Sequence, residues 1–458
     1  MIENDAFKLL LINLFHLNPD DITNIVCTTF NKMMVLLVTL ADKHQACPYC
    51  GFTAPKIKEY VTKEITHSAI TTQKCIIKYR ARRYKCPCCG KTYYEFNPFV
   101  FKSQKISILT VHNILKDLKD FNETFTSVAR RYHVSPTSVS TIFDNHVDIG
   151  RNPLPEIINF DEVYAFKSEK SKYVCVLLDF KKQIPVDVLP NRKKEYLLNY
   201  FQKIPLEERK KVKYACSDMY EVYRDVVHKV FPEAKHLLDY FHLSQDFHKK
   251  MNEVRIKVMK GYKDDKASDE YYLLKKFNWL LFKNPEDEDK YGRLFDVERE
   301  RKYNSHFKSY MNYYDLRKKI LEINNDLTIC YSLKLELVDF YSKSTIDNAQ
   351  VNLEHLIRNC IDTNIEEMIA FSNNLINWKQ EIINSFTIVG TEYKVEADKG
   401  QVVVCNKKVN NAIIENRNKI IKCIKNNANG YTNWSRFRNR VMYVLDPNTT
   451  FSLEPREK

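Results

Sequence analysis

Residues 157–163 read Ile157-Ile-Asn-Phe-Asp161-Glu162-Val163, an apolar run with two carboxylates set inside it. β-Branched and aromatic residues at this density predict a strand, running from 157 to 166. With the strand period of two, Asp161 and Glu162 point to opposite faces, so only one of them should reach a shared site. The next eighty residues decide the fold. Residues 173–180 (YVCVLLDF) form an apolar run fit for a buried strand, and residues 184–189 give a third. A helical stretch over 193–202 precedes a strand at 212–216; a second helix over 220–231 stops before Pro232, and 234–238 gives a fifth strand. Three strands in succession, then helix, strand, helix, strand, predict a mixed α/β sheet with helices packed on it. Asp218 ends the fourth strand, at the carboxyl end where sheets with helical crossovers collect their ligands.

Outward from this block the pattern changes on both sides. Pro153-Leu154-Pro155 breaks helix and opens the sheet region. Upstream, 105–150 read as helical, 45–104 carry paired cysteines among short β-rich runs, and 1–44 hold a helical stretch (5–15) and a strand-like one (26–40). Downstream, from about 243 to 389, the β signal fades into charged amphipathic helices with Trp279 and Trp378 as packing anchors. A brief strand at 402–405 precedes helices at 411–425 and 434–444. The expected units are therefore 1–104, 105–150, 151–242, 243–401 and 402–458.

The chain carries 72 Lys and Arg against 58 Asp and Glu, a formal charge of +14. Net charge argues about partners and not about fold, and nucleic acid is the commonest strongly anionic partner. A general lysine bias gives the same sum, so distribution says more. Between Lys56 and Lys105 twelve basic residues stand against three acids, Glu59, Glu64 and Glu95, a surplus expected of a phosphate-facing patch. No apolar run reaches the roughly 18 residues of a membrane span. The start MIENDAFKLLL lacks the basic segment of a secretory signal. A cytoplasmic, nucleoid-associated location is expected.

Of the 13 cysteines, Cys27, Cys175, Cys216, Cys330, Cys405 and Cys423 stand singly and read as small core residues. Others are paired. Cys47-Pro-Tyr-Cys50-Gly51 and Cys86-Pro-Cys88-Cys89-Gly90 are each a CxxC turn closed by glycine. Such a turn aims two thiolates at one ion, and two turns make the closed tetrahedral set of a structural Zn²⁺ site. Thirty-five residues separate the pairs, room for a small β sheet. Cys88 leaves the set open, because Cys86 and Cys88 could pair instead of Cys86 and Cys89. A redox pair would more usually be one CxxC at a helix start.

Residues 125–143 (FTSVARRYHVSPTSVSTIF) have the grammar of a helix-turn-helix. Val128, Ala129 and Tyr132 form an apolar stripe, and Val134 sits in the turn. Ser135 caps the next helix with Pro136 at its first position. Val139, Ile142 and Phe143 continue the apolar face, leaving Thr137, Ser138 and Ser140 to face DNA. An ordinary helical hairpin is the alternative. Farther on, helical spacing puts Asn411, Glu415, Asn418 and Lys422 on one polar face, and Ile413, Ile420 and Ile424 on an apolar one. Most such stripes are solvated; an amide-rich strip around a single acid sets this one apart.

These pieces together carry a resemblance. CPYCG, RRYKCPCCGKTYYEF, NFDEVYAF, KYACSDMYEVYRDVVHKVFPEAKHLLDYFHL and ENRNKIIKCIKNNANGYTNWSRFRNRV occur in the order found in ISL3-family insertion-sequence transposases, which the chain resembles. The resemblance implies an RNase H-like mixed-sheet catalytic core interrupted by an all-α insertion domain and preceded by a zinc-binding β-rich domain and a helix-turn-helix. It implies a DDE triad on Asp161, Asp218 and Glu415, and it places Asp239 and His242 on a D-x-x-H signature. Asn416 stands where the family often has glycine. Three carboxylates that hold two Mg²⁺ (or Mn²⁺) ions about 4 Å apart serve phosphodiester attack, with Asp161 expected to bridge and Asp218 and Glu415 to complete one metal each. Lys419 and Lys422 are candidate phosphate contacts. The implied partners are double-stranded DNA, as terminal inverted repeats and target, and a second copy of the chain during synapsis. A zinc and helix-turn-helix regulator without cutting activity, and a nuclease that cuts without joining, are the rival readings.

Overall fold

The computed structural model describes residues 2–43, 45–101, 104–166, 171–395 and 402–456. Helix α1 (Ile2–Leu14) precedes a five-stranded sheet of β1 (Ile22–Phe30), β2 (Met33–Leu40), β3 (Lys56–Thr66), β4 (Cys75–Lys85) and β5 (Thr92–Tyr94). The sheet runs β1-β2-β4-β3, with β5 added to β4. The single strand expected at 26–40 is thus a hairpin. Asn31 and Lys32 both have positive φ (47° and 61°), the two-residue turn whose twist matches paired strands; no Gly announced it. Leu11, Ile12, Phe15, Leu36, Ile65, Ile77 and Tyr79 fill the core beneath.

Three helices follow, α2 (Ile108–Asp117), α3 (Phe125–Arg131) and α4 (Pro136–His146). The Thr124 and Ser135 side chains accept from the Ser127 and Ser138 amides and cap α3 and α4.

The second sheet holds β6 (Ile157–Val163), β7 (Val174–Asp179), β8 (Pro185–Leu189), β9 (Tyr214–Ser217) and β10 (Lys235–Leu238), with α5 (Lys194–Gln202), α6 (Leu206–Arg209) and α7 (Glu221–Val230) between them. Its order is β10-β9-β6-β7-β8. β6, β7 and β8 are antiparallel neighbours, whereas β9 is parallel to β6 and β10 parallel to β9. One face is covered by α5 and α7, packed on Ile158, Phe160, Leu177 and Val186.

After β10 come α8 (Tyr240–Lys260) and α9 (Asp269–Lys276), then two short hairpins, β11 (Glu288–Asp289) with β12 (Gly292–Arg293) and β13 (Lys302–Asn304) with β14 (Ser309–Met311). Helices α10 (Tyr313–Glu322), α11 (Asn325–Lys343), α12 (Ala349–Asp362), α13 (Glu366–Asn377) and α14 (Lys379–Asn384) complete a block with its own core, in which Trp378 is buried and Trp279 partly buried. The two hairpins correct the expectation of an all-α insertion: their strands are two or three residues long, too short to leave a period-two signal. The chain returns through a hairpin of β15 (Ile388–Val395) and β16 (Val402–Lys408) to α15 (Ala412–Asn427) and α16 (Trp434–Leu445).

Helices α15 and α16 close the other face of the second sheet. Their apolar positions are Ile414, Ile421, Ile424, Phe437 and Val441, which join Val163, Val174 and Val176 of the sheet and Val111, Val128 and Phe143 of the three-helix unit in one core. The helical register of α15 is therefore shifted from the expected stripe, with Ile413 and Ile420 only flanking it. Among the solitary cysteines, Cys175, Cys216 and Cys330 are buried as expected, Cys27 is half-buried and Cys423 exposed. Cys423 follows Lys422 on the outer side of α15. The side chain of Cys405 lies outside the described residues. No helix among the described residues is long and apolar enough to cross a membrane.

Candidate functional site

The parallel part of the second sheet sets three acids side by side. Asn159 pairs with Cys216 and Leu238 with Ser217. Continued by one or two residues, that register brings Asp161, Asp218 and Asp239 level across β6, β9 and β10. Asp161 faces α15, and Glu162 faces α7, as the alternation requires.

α15 is fastened onto β6 by buried amides. Asn159 Nδ2 donates to Asn411 Oδ1 at 2.7 Å and to the Asn410 carbonyl at 2.8 Å, and Asn411 Nδ2 donates to the Phe160 carbonyl at 3.3 Å. About two helical turns farther on, Asn418 Nδ2 donates to Asp161 Oδ2 at 2.7 Å. The other Asp161 oxygen accepts from the Glu162 amide, also at 2.7 Å. Glu415 lies between these two fastenings, on the same side of α15. It stands with Asp239 and His242 in one group whose ligand atoms lie within 4.8 Å of one another; Asp161, Asp218 and Glu162 form a second such group. The two groups are neighbours, since the charges of Glu415 and Asp239 both act on Asp161, although 197 positions separate Asp218 from Glu415.

The electrostatics are those of crowded, half-dry carboxylates. Burial, and then the negative charge of Asp218, push the Asp161 carboxyl up to about 7, with Glu415 and Asp239 adding to the effect. Burial raises Asp218 and Asp239 as well, against the pull of His242. Asp218 Oδ1 and His242 Nε2 are buried with no hydrogen-bond partner. Glu162 differs. Its long side chain reaches the edge of the Asp161–Asp218 group, which strand alternation alone did not anticipate, but it is committed to an ion pair with Arg192 and to the Tyr223 hydroxyl at 3.0 Å.

The paired cysteines converge independently. Cys47, Cys50, Cys86 and Cys89 bring their sulfurs within 4.8 Å of one another. Cys47 and Cys89 Sγ are 3.7 Å apart, and Cys50 and Cys86 Sγ 3.5 Å. The edge of a tetrahedron with metal–sulfur bonds of about 2.3 Å is about 3.8 Å. Cys88 is exposed and outside the set, which resolves the open pairing in favour of Cys89. The two turns repeat one design. Gly51 N donates to the Cys47 carbonyl at 2.8 Å and Gly90 N to the Cys86 carbonyl at 2.9 Å, and both glycines have positive φ (74° and 70°), where a side chain would be strained. The Cys89 amide helps to hold the Cys86 thiol down at about 7.

Of the residues expected to face DNA, Thr137 is exposed and Ser138 half-exposed. Ser140 is corrected: it is 8% exposed, and its hydroxyl donates to the Thr137 carbonyl at 3.0 Å. It lies next to Val139 on the side of α4 that packs inward. Lys419 and Lys422 are both exposed on α15.

Compared with known proteins, residues 158–397, just over half the chain, match the model of the ISL3 DDE transposase family, described as "Transposase". The chain belongs to the ISL3 transposase family. As a member of that family of DDE transposases it is an enzyme. Residues 43–89, which span all four clustered cysteines, match the zinc-finger of transposases IS204, IS1001, IS1096 and IS1165. A relative from Bordetella parapertussis, the transposase for insertion sequence element IS1001, is 19% identical over 409 residues, covering 89% of this chain and 90% of the relative. In this ISL3-family chain, sequence reasoning named Asp161, Asp218 and Glu415 but left Asp239 outside the site. The available signal was an aspartate directly after the apolar strand at 234–238, the position Asp218 holds after its own strand. Asn418 was visible as part of the amide strip, but not as the donor to Asp161.

Proposed function

We propose that this chain binds transposon terminal inverted repeats, cleaves the ends and joins them to target DNA, with Asp161, Asp218 and Glu415 as the catalytic carboxylates. One observation carries the reading: α15 crosses back over the sheet after the whole helical block, and the buried amides of Asn159, Asn411 and Asn418 seat it so that Glu415 stands with Asp239 and His242, where its charge is felt by Asp161. A solvated acid would need no such seating. The strand order, an antiparallel meander with two parallel strands added beside β6, supports an RNase H-like core for 151–242 and 402–458. In this reading 243–401 are the insertion, 105–150 the helix-turn-helix and 1–104 the zinc domain.

The carboxylate site suits Mg²⁺ or Mn²⁺. Its donors are oxygens, the ligand type those ions select, and the orphaned Asp218 Oδ1 and the raised Asp161 both call for a cation. Asp161, Asp218 and Glu415 would hold the ions, with Asp239 as a further oxygen donor. What the ions supply when bound is activation of the attacking hydroxyl and stabilisation of the leaving oxygen. The protein's own part is positioning. Asn418 and the Glu162 amide fix both Asp161 oxygens, and Arg192 and Tyr223 hold Glu162 aside. Lys419 and Lys422 extend along α15 toward the DNA backbone, and Thr137 and Ser138 present α4 to the end sequence. Cys47, Cys50, Cys86 and Cys89 suit a structural Zn²⁺, since four thiolates leave no open position. All three acids of the basic stretch are paired, Glu59 with Arg83, Glu64 with Lys78 and Glu95 with Arg82. Lys56, Arg80 and Lys85 remain exposed for phosphates. Synapsis of two ends calls for a homodimer.

A labelled transposon end incubated with the protein, Mg²⁺ and a target plasmid is expected to be cut and joined. Binding without cutting would leave the regulator reading, and cutting without joining the nuclease reading. Asn418→Ala is expected to slow cutting about tenfold, near 1.4 kcal/mol, with end binding unchanged in a gel-shift assay. An unaltered rate would mean that Asp161 needs no help in holding its orientation.

A further inference from the structure

Where α7 and β10 meet α14, the structure gathers a second set of metal-ligating side chains that strand transfer does not use. His228 on α7, His236 on β10 and Glu381 on α14 each bring one ligand atom to within 4.8 Å of the others. His236 is enclosed, at 1% exposure, with the Trp378 and His228 rings both 6.2 Å from its own. Ser217 Oγ lies 2.9 Å from both the Asp218 carbonyl and His236 Nε2. When its one proton goes to the carbonyl, Nε2 carries the ring proton and Nδ1 presents a lone pair.

That Nδ1 is buried with no hydrogen-bond partner. It looks at Glu381 Oε1 across 3.9 Å, and His228 Nε2 stands 4.0 Å from the same oxygen. Both gaps are too long for a hydrogen bond. In that tautomer a lone pair faces a buried carboxylate, which is unfavourable unless a cation stands between them. Arg224 does not fill that place: its guanidinium stacks 4.3 Å from the Trp378 ring and donates to the Asn377 carbonyl at 2.8 Å. Zinc bonds to imidazole nitrogen and carboxylate oxygen run about 2.0–2.2 Å, so an ion in the gap touches all three after a contraction of roughly half an ångström.

We propose that His228, His236 and Glu381 bind a divalent transition-metal ion of the zinc class, with a fourth position open on the half-exposed His228 side. The ion staples α14, the last helix of the helical block, to β10 and α7. Asn384 of the same helix already donates to the His236 carbonyl at 2.9 Å. Through His236 and Ser217 the ion also steadies the backbone of Asp218, the residue that follows β9. It is separate from the four-cysteine cluster and from the carboxylate site.

The full-length protein, stripped and reloaded with Zn²⁺ in excess Mg²⁺, is expected to retain one ion more per chain than either His228→Ala or Glu381→Gln, counted by native mass spectrometry. His228 is half exposed and glutamine keeps the volume of Glu381, so both variants should fold. Equal zinc counts in all three proteins would overturn the proposal and leave a bare His–Glu contact. Cobalt loading locates the ion: thiolate-to-cobalt absorption, which reports the four cysteines, should be unchanged in the variants. If that absorption fell together with the missing ion, the loss would belong to the cysteine cluster and the proposal would fail.

Discussion

Asp161→Asn, Asp218→Asn and Glu415→Gln should each lower strand cleavage by about a thousandfold or more, at least about 4 kcal/mol of transition-state stabilisation, while binding to the transposon end persists. Each substitution is nearly isosteric, so the seam of amides between β6 and α15 should survive it. What is lost is charge, and the three charges are not equivalent. Asp161 is the most enclosed and feels Asp218, Glu415 and Asp239 at once. Removing its charge also relieves like-charge repulsion in a buried place. In the presence of a chelator, Asp161→Asn should therefore melt at a higher temperature than the parent, the usual relation between an active site and stability. An Asp161→Asn protein that cuts normally would remove that residue from the site. A protein that loses cutting and melts lower would show that the carboxylate serves the fold. Asp239→Asn tests the residue that the sequence reading placed on the D-x-x-H signature but not among the catalytic carboxylates. A fall of similar size would make the site four carboxylates, and a fall of tenfold or less would leave Asp239 as support for Glu415 and His242.

The second sheet was legible in the sequence because its strands are buried on both faces. Continuous apolar runs such as 173–180 can hardly be anything else once Pro and helix signals bound them. Asp161 was legible for the same reason, as a charge where the pattern demanded an apolar residue. The first sheet was harder. The turn at Asn31 and Lys32 carries no glycine, so two strands read as one. The two short hairpins between α9 and α10 fall below any periodic signal. The α15 register was misplaced because isoleucines stand at 413, 414, 420, 421 and 424. They cover two adjacent stripes, and only packing against Val163 and Val174 selects Ile414, Ile421 and Ile424 as the buried one. Ser140 went wrong through the same ambiguity: a serine beside a buried valine was assigned to the outer face by residue type. The approach of Glu415 to the Asp161 side of the sheet rests on tertiary contacts made across the whole helical block. No local pattern encodes them, and the resemblance to transposases supplied that pairing in advance.

The four-cysteine cluster leads to an expectation that is regional and not global. Its own apolar support is small: Cys47, Tyr84, Cys86 and Tyr93, with Cys89 partly buried beside them. A core of that size cannot hold two turns together, and small units of this kind depend on a metal or a disulfide. The rest of the first sheet has a separate core around Leu36, Ile65 and Ile77, reached by the far ends of β3 and β4. Removing zinc with a strong chelator, or substituting Cys47→Ser with Cys86→Ser, should therefore fray the sheet from one end. Hydrogen exchange should lose protection over 45–60 and 82–95, by about a hundredfold or more, while β1 and β2 and the second sheet keep theirs. End binding should weaken along with it, because the exposed Lys56 and Lys85 lie on the part of the β3–β4 hairpin next to the cluster. Cutting of an already bound or tethered end should change far less, since the carboxylate site shares no element with this hairpin. Intact protection across 45–60 and 82–95 in zinc-free protein would mean that the thiols are merely close and that hydrogen bonds such as Cys47 N to the Phe52 carbonyl, at 2.8 Å, suffice to hold the turns.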